Sequence, residues 1–216
     1  MKIFKLLALV VCLAGASASF TSCKVGEDDP FISLRSRDGR LKGTWNMEKM
    51  TNTYEISAFD QTSGAQLNTS IRTSFDGTTM RISTYANNIA LTDTAFDFAY
   101  QMDIEENGDL SYENTFYQSG FGVKSGGEDN WYWMNTDKKK SRVYLGAALQ
   151  AAATAGLTQT PIIGNLLISN LFSDFDVDGL RNKELKLSFN KSTRLPDLTG
   201  GEQSIKITSE MEFEAK

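Results

Sequence analysis

Histidine is absent from this chain of 216 residues, and proline and cysteine are scarce, with three and two copies. Without histidine the chain has no Ser-His-Asp triad and no zinc site built from Cys and His. The chemistry left to an enzyme is that of two carboxylates or of a Ser/Lys pair. Carboxylate pairs such as Glu105-Glu106 and Glu210 with Glu212 occur, but acids are common on any acidic surface. We therefore expect a binding protein, not an enzyme, with no catalytic residues, metal site or cofactor.

The two cysteines lie at the N-terminus, where the sequence has the order of a secretory signal peptide. Two lysines precede an apolar run over residues 6–18, which contains Cys12 and is too short to cross a bilayer. Cys23 follows the small residue Ser22. Cleavage before Cys23 would let its thiol carry a diacylglycerol and its amino group a further acyl chain, and several chains make a stable anchor. The alternative is cleavage nearer residue 18, which leaves Cys23 as a free thiol.

The residues Phe20-Thr21-Ser22-Cys23 resemble a bacterial lipobox. The acidic run Glu27-Asp28-Asp29 resembles the tags that send lipoproteins of the Bacteroidota to the cell surface, although a solvated charge run in a linker would look the same. The resemblance implies palmitate on Cys23 and a lipid-anchored place at the outer membrane. It favours the cell surface, with the periplasmic face as the alternative. We predict a signal peptide over 1–22, a lipidated tether over 23–30 and one domain over 31–216.

Charge and size limit the possible partners of that domain. Removing residues 1–22 takes away Lys2 and Lys5, which changes the formal net charge from −5 to −7. An acidic surface repels nucleic-acid phosphates, so we expect no nucleic-acid partner. With Cys23 acylated, no thiol is left for a disulfide, and stability must come from burial in a domain of about 190 residues.

Alternation of apolar and polar residues predicts an all-β domain. The clearest strand covers residues 96–104, and a second follows Gly108. A two-residue turn at Asn107-Gly108 would mix the two faces, whereas a three-residue loop over 106–108 sets Ile104 opposite Leu110. We therefore predict the three-residue loop, with Gly108 in the left-handed region.

Further alternating segments bring the predicted total to about eight to ten strands. In the last of them, residues 205–213, Ile205, Ile207, Met211 and Phe213 share one face. Asp76-Gly77 is a turn signal between two others. The remaining strands are predicted near Trp45, Tyr54, Ile71 and Met80, at Trp131 with Trp133, at Val143 with Leu145, and at Leu185 with Leu187 and Phe189. Strands joined by short turns favour a meander, which can close into an up-and-down barrel.

Gly43-Thr44-Trp45 follows a predicted short helical turn and opens the β region. It resembles the Gly-x-Trp motif that opens the first strand of lipocalins, and the lipidated leader makes the chain similar to lipocalin-like lipoproteins of the Bacteroidota. The resemblance implies a lipocalin-like antiparallel up-and-down barrel. In that family an arginine stacks on the motif tryptophan, and Arg194 is the candidate here.

Two segments allow more than one interpretation. Residues 143–173 contain no charge. Polar interruptions favour two short helices near 147–172 over a membrane span, and they would form either a lid on one end of the barrel or part of the core. Asp174, Asp176 and Asp178 before Gly179 resemble the start of a calcium loop. The twelfth position is Leu185 instead of Glu, so we interpret this stretch as a polar turn.

A barrel of this kind predicts a binding function. We expect a small, largely apolar ligand in contact with Phe98, Tyr100, Trp131 and Trp133. Outward-facing Trp131 and Trp133 would instead stack on sugars, but the inward orientation is favoured because nearby strand residues of the same parity are apolar. The alternative function is a filled barrel that works through its surface as an accessory or interaction protein of an envelope or glycan-uptake assembly.

Overall fold

The computed structural model describes residues 36–59, 64–118, 121–134, 140–146, 148–149, 174–196 and 202–216. The predicted signal peptide, Cys23, the tether and most of the predicted helical insertion at 147–172 lie outside these residues. Of that insertion, Ala148 and Leu149 are described; they are helical and fully buried. Within the described part, no helix is long and apolar enough to span a membrane.

Apart from the helical residues near Ala148 and Leu149, the described residues form one short helix and eleven strands, which confirms the predicted all-β class. The helix α1 covers Arg37–Leu41. The strands are β1 (Gly43–Phe59), β2 (Gln66–Phe75), β3 (Thr79–Ala86), β4 (Ile89–Ile104), β5 (Asp109–Gln118), β6 (Phe121–Asn130), β7 (Tyr132–Trp133), β8 (Arg142–Tyr144), β9 (Asp174–Leu180), β10 (Glu184–Pro196) and β11 (Glu202–Ala215). All belong to one antiparallel sheet in the order β6-β5-β4-β3-β2-β1-β11-β10-β9-β8-β7.

The β2–β3 hairpin divides two strands that pair directly at one end. Residues 43–46 of β1 pair with residues 101–104 of β4, so this part of the sheet closes into a partial ring. Beyond Met50 the same edge of β1 pairs with β2 instead. The change coincides with a register shift between Met47 and Lys49, and Gly77 in the hairpin turn lies close to the carbonyl oxygen of Glu48. The hairpin is thus a wedge that widens the sheet toward one end.

The two edge strands of the sheet, β6 and β7, are consecutive in the chain and separated by Trp131 alone. The Trp131 backbone N–H donates to the carbonyl oxygen of Gly108 at 2.8 Å, and its indole N–H donates to that of Glu105 at 2.6 Å. Both acceptors lie in the β4–β5 turn. At this end of the sheet, Trp131 joins the two edge strands and is hydrogen-bonded to the β4–β5 turn.

Local register agrees with the predictions. Ile104 lies opposite Leu110, and Gly108 has φ of 96°. The Asp76-Gly77 turn joins β2 to β3, with Gly77 at φ of 97°. The predicted inward residues of β11, namely Ile205, Ile207, Met211 and Phe213, are all buried.

Two sequence interpretations were wrong. The stretch at 174–179 is not a turn but part of strand β9, in which Phe175 and Val177 are buried. Its aspartates point to the opposite face, where Arg142 contacts both Asp174 and Asp176. Because Asp is rare in strands, its repetition concealed a regular alternation.

Arg194 is not the partner of Trp45. It is exposed and lies opposite Ser204, whereas Trp45 lies opposite Ala215 at the other end of β11, about 35 Å away at the rise of a strand. The buried indole of Trp45 instead donates to the carbonyl oxygen of Leu41 at 2.7 Å, at the end of α1. The arginines near this end of the sheet are Arg37 and Arg40 of α1, which are buried and donate to carbonyl oxygens of β9.

Candidate ligand-binding face

Phe98 and Tyr100 lie side by side on the buried face of β4. The Phe98 ring contacts Phe75 edge-on with centroids 5.4 Å apart, and it also packs on Phe116 of β5. The Tyr100 ring lies 6.3 Å from that of Phe213. Burial raises the pKa of Tyr100 well above its ordinary value, so the phenol is neutral at physiological pH. Both residues belong to the main hydrophobic core.

Trp131 and Trp133 form a separate pair at the junction of the sheet edges. Their rings are perpendicular, with centroids 6.2 Å apart. The Trp133 indole donates to Asp38 of α1 at 2.5 Å, and the guanidinium of Arg37 lies 5.6 Å from its ring centre, a cation–π distance. Trp131 is buried and Trp133 half-buried against the core, which agrees with the inward orientation.

Asp38 is held in its charged form at this junction. Partial burial raises the pKa of Asp38. Hydrogen bonds from Lys140 and Trp133 and the charge of Lys140 lower it by more in total, so the net shift of the pKa is downward. The hydrogen bond from Trp133 to Asp38 attaches α1 to the tryptophan pair. The structure therefore places the four predicted ligand contacts in one core but in two groups, with Phe98 and Tyr100 in mid-sheet and the tryptophans at its base.

The buried side of the sheet, which we call the core face, is layered. Residues that lie opposite each other across neighbouring strands share a face. One layer is entirely apolar and consists of Leu187, Met211, Met50, Phe75 and Met80. The next layer toward the widened end places Ser209, Asn52 and Thr73 side by side on β11, β1 and β2.

These three residues and Thr84 of β3 form what we call the polar belt, and all four are buried. The Asn52 amide donates to the sulfur of Met50 at 3.3 Å. Within the described part of the chain, the hydroxyls of Ser209, Thr73 and Thr84 have no hydrogen-bond partner. The phenol oxygen of Tyr100 is also buried without a hydrogen-bond partner among these residues. Buried polar atoms are normally paired with protein, water or a ligand, so several such hydroxyls on one face indicate a site that takes a polar group.

Lys191 brings a positive charge to the same face. It lies two residues beyond buried Phe189 on β10 and opposite buried Ile207, and it is itself half-buried. The neighbouring lysines Lys186 and Lys206 point outward and pair with carboxylates, whereas no carboxylate among the described residues pairs with Lys191.

The core face becomes exposed at the widened end of the sheet. Ile89 continues the layer of buried Thr69 and half-buried Ala86, yet it is 69% exposed, and Leu67 is 50% exposed. Apolar residues on the inner side of a sheet that contact solvent indicate an opening. Leu91, 55% exposed, lies beside Ile89 at a bulge in β4.

A second concavity lies at the opposite end and is acidic. It has a volume of about 410 Å³ and is lined by Glu105, Asp109, Leu110, Ser111, Glu128, Asp129 and Asn130. Over the described ranges, no three acidic, Cys or His side chains are grouped so that they could hold a metal ion. The carboxylates are spread along the walls and do not converge on one point.

Sequence reasoning missed the polar belt and Lys191, although a signal was present. The alternation that marks Ile207 and Met211 as inward also places Ser209 inward. The alternation through Phe189 places Lys191 on the same face. Sequence patterns identify inward positions by their apolar residues, so the polar Ser209 and Lys191 were not assigned to the inner face.

Comparison of the chain with models of known protein families gives no match, and comparison with curated proteins gives none either.

Proposed function

We propose that this chain is a lipid-anchored protein of the cell envelope whose sheet forms a lipocalin-like barrel around a site for a small, largely apolar ligand. The observation that carries the proposal is the polar belt. Hydroxyls of Ser209, Thr73 and Thr84 are buried on a largely apolar face and have no partners among the described residues. Each such group costs about 1–3 kcal/mol in the empty protein. A ligand with a polar group would offset that cost, whereas a purely structural core would use apolar residues here.

Curvature of the sheet supports the barrel. Tyr100 and Phe213 lie on strands β4 and β11, which flank β1 on either side, and in a flat sheet their strands would be about 9.5 Å apart. Their rings are 6.3 Å apart, so the inner face is concave there. The junction at Trp131, which brings the two edges of the sheet together, supports the same geometry.

The polarity along the core face gives the proposed ligand a direction. Phe98, Tyr100 and the tryptophan pair provide aromatic surface toward the base, and the polar belt lies nearer the exposed end at Leu67 and Ile89. A ligand that entered through the widened end would place its apolar body inward. Lipid anchoring at Cys23 would hold this site at a membrane, where such molecules are concentrated.

The test is to purify the protein from its own cells, denature it and identify released small molecules by mass spectrometry. A different lipid-anchored protein from the same membrane serves as the control for adventitious lipid. One compound present in stoichiometric amount and absent from the control is the expected result. A sample with no such compound, together with full hydrogen-exchange protection of the core face, would contradict the proposal.

The second candidate is a surface interaction protein with a filled interior. It is favoured by the exposed apolar residues Leu67, Ile89 and Leu91, which gather at one end of the sheet and would be covered by a partner in an envelope assembly. Crosslinking in intact cells from a photoreactive residue at position 89 distinguishes the two. A specific protein adduct favours the partner, and none is expected for the ligand carrier.

A further inference from the structure

We infer that the ligand carries a carboxylate, which binds between the Lys191 ammonium and the hydroxyl of Ser209, the member of the polar belt nearest to it in the register. This inference rests on the proposed function and specifies the ligand class of that same site. It starts from the position of Lys191, since the other described lysines and arginines of β10 and β11 lie on the outer face or in its exposed continuation.

Lys191 lies one layer beyond Ser209, Asn52 and Thr73 toward the exposed end, in the layer of Thr84. Its layer runs across the sheet through Ile207, Tyr54, Ile71 and Thr84. Phe189, directly before it on the same face, is in the layer of Ser209. Lys191 is half-buried and lies diagonally beside Ser209, whose hydroxyl has no partner among the described residues. An anion bound there would neutralise the lysine charge and accept a hydrogen bond from the serine.

The donors fit a carboxylate better than a phosphate. A single lysine supplies one positive charge, and serine and threonine hydroxyls can each donate one hydrogen bond to an anion oxygen. A phosphate dianion would require more than one cation, and no second cation lies on this layer among the described residues. The apolar layer that begins at Leu187 is four residues, or about 13 Å, deeper along β10, which leaves the ligand's body in apolar surroundings.

The experiment compares decanoate with 1-decanol, which has the same chain without the charge. Binding is measured by isothermal titration calorimetry on the full chain carrying Cys23→Ser, which removes the acylated residue and the need for detergent. We expect decanoate to bind about tenfold more tightly than decanol, as one charge-assisted contact provides.

The variant Lys191→Met should weaken decanoate binding about tenfold and leave decanol binding unchanged. Lys191→Arg should restore the preference for decanoate. The matched control is Lys206→Met, which removes the same charge from the outer face, where Lys206 pairs with Glu55 at 3.5 Å. It should leave both affinities unchanged.

Equal affinity of the wild type for decanoate and decanol would overturn the carboxylate inference while supporting the internal ligand site. An equal loss in Lys206→Met and Lys191→Met would also overturn it, because the effect would then be one of net charge. Binding of neither probe would contradict the proposed function together with the inference.

Discussion

The Thr73 hydroxyl is proposed to affect stability and ligand binding in opposite directions. Thr73 is fully buried between Asn52 and Ile82, and its hydroxyl has no partner among the described residues. Without ligand it is a desolvated polar atom, and in the proposed complex it would donate a hydrogen bond to the ligand. Such a residue would destabilise the free form and stabilise the bound form.

Thr73→Val should therefore raise the free energy of unfolding of the ligand-stripped protein by about 1 kcal/mol, because it removes an unsatisfied buried hydroxyl. Urea denaturation measures the change. The matched control is Thr51→Val, which makes the same replacement on the exposed face of β1 and should stay within about 0.5 kcal/mol of the wild type. If Thr73→Val destabilised the stripped protein by more than Thr51→Val, the hydroxyl would have a partner and the belt would be structural.

Asp76 makes the β2–β3 turn sensitive to acid. Its exposed carboxylate accepts hydrogen bonds from the backbone N–H groups of Thr79 and Thr78 and from the Thr78 hydroxyl, and these bonds lower its pKa below the ordinary 3.8. A carboxylate whose pKa is lower in the folded state stabilises the fold above its unfolded pKa, and this contribution disappears as pH falls through the folded value.

We expect the stability difference between the wild type and Asp76→Ser to be largest above about pH 5 and to shrink below pH 4, since serine can accept the same bonds without a charge. Thermal unfolding followed by circular dichroism from pH 7 to pH 2.5 measures it. A difference that stayed constant with pH would show that the charge of Asp76 plays no part.

At the scale of elements, the edge strand β6 approaches the backbone of β5 closely at Gly126. A Cβ at Gly126 would collide with the carbonyl oxygen of Tyr112 on β5, and no side-chain rotation can relieve a contact with backbone. A Cβ added at Gly122 would lie 3.1 Å from the nearest atom, a carbon of the exposed Tyr117 ring, and that ring can move away.

Gly126→Ala should separate β6 from β5 and lower the free energy of unfolding by about 1–3 kcal/mol, as overpacking typically does. Hydrogen exchange should show lost protection in β6 while β11 keeps its own. Gly122→Ala is the matched control on the same strand and should be neutral or slightly stabilising. Similar losses in both variants would show that the Tyr112 contact is not their cause, because the chain-entropy effect of alanine is stabilising at both positions.

Elements whose pairing is local could be predicted from the sequence, and those whose pairing is distant could not. The β4–β5 register follows from one loop and one glycine, so Ile104 and Leu110 could be matched without a structure. The direct pairing of β1 with β4 could not, because no local pattern states that residues 43–46 meet residues 101–104 across an inserted hairpin. Of the candidate site, the aromatic residues could be predicted as apolar members of strands. The inward position of Ser209 and Lys191 follows from alternation within their own strands, whereas their grouping with Asn52 and Thr73 required the register of several strands at once.

At the scale of the whole molecule, the proposed anchor and the proposed opening must be compatible. Chain entry into the sheet at Gly43 lies beside α1 at the base, and the widened end lies at the other extremity of β1. A strand of 17 residues separates the two by up to about 55 Å. The site would thus open away from the end of the sheet at which the chain enters β1.

Replacing Cys23 with alanine should abolish incorporation of labelled palmitate, because the thiol is the proposed attachment atom. The matched control is Cys12→Ala, which removes the only other cysteine and should leave labelling unchanged. Labelling is read by fluorography of the immunoprecipitated protein. Persistent label in Cys23→Ala, or equal loss in both variants, would contradict anchoring at Cys23.

The β2–β3 hairpin makes the width of the sheet at one end independent of the strand pairing at the other end. The pairing of β1 with β4 at the base does not involve the hairpin, and Trp131 joins the edge strands at the same end. Adding two residues to each arm of the hairpin would extend the rim at Leu67 and Ile89 without altering the base. The width of the proposed opening could therefore change while the pairing at the base stays the same.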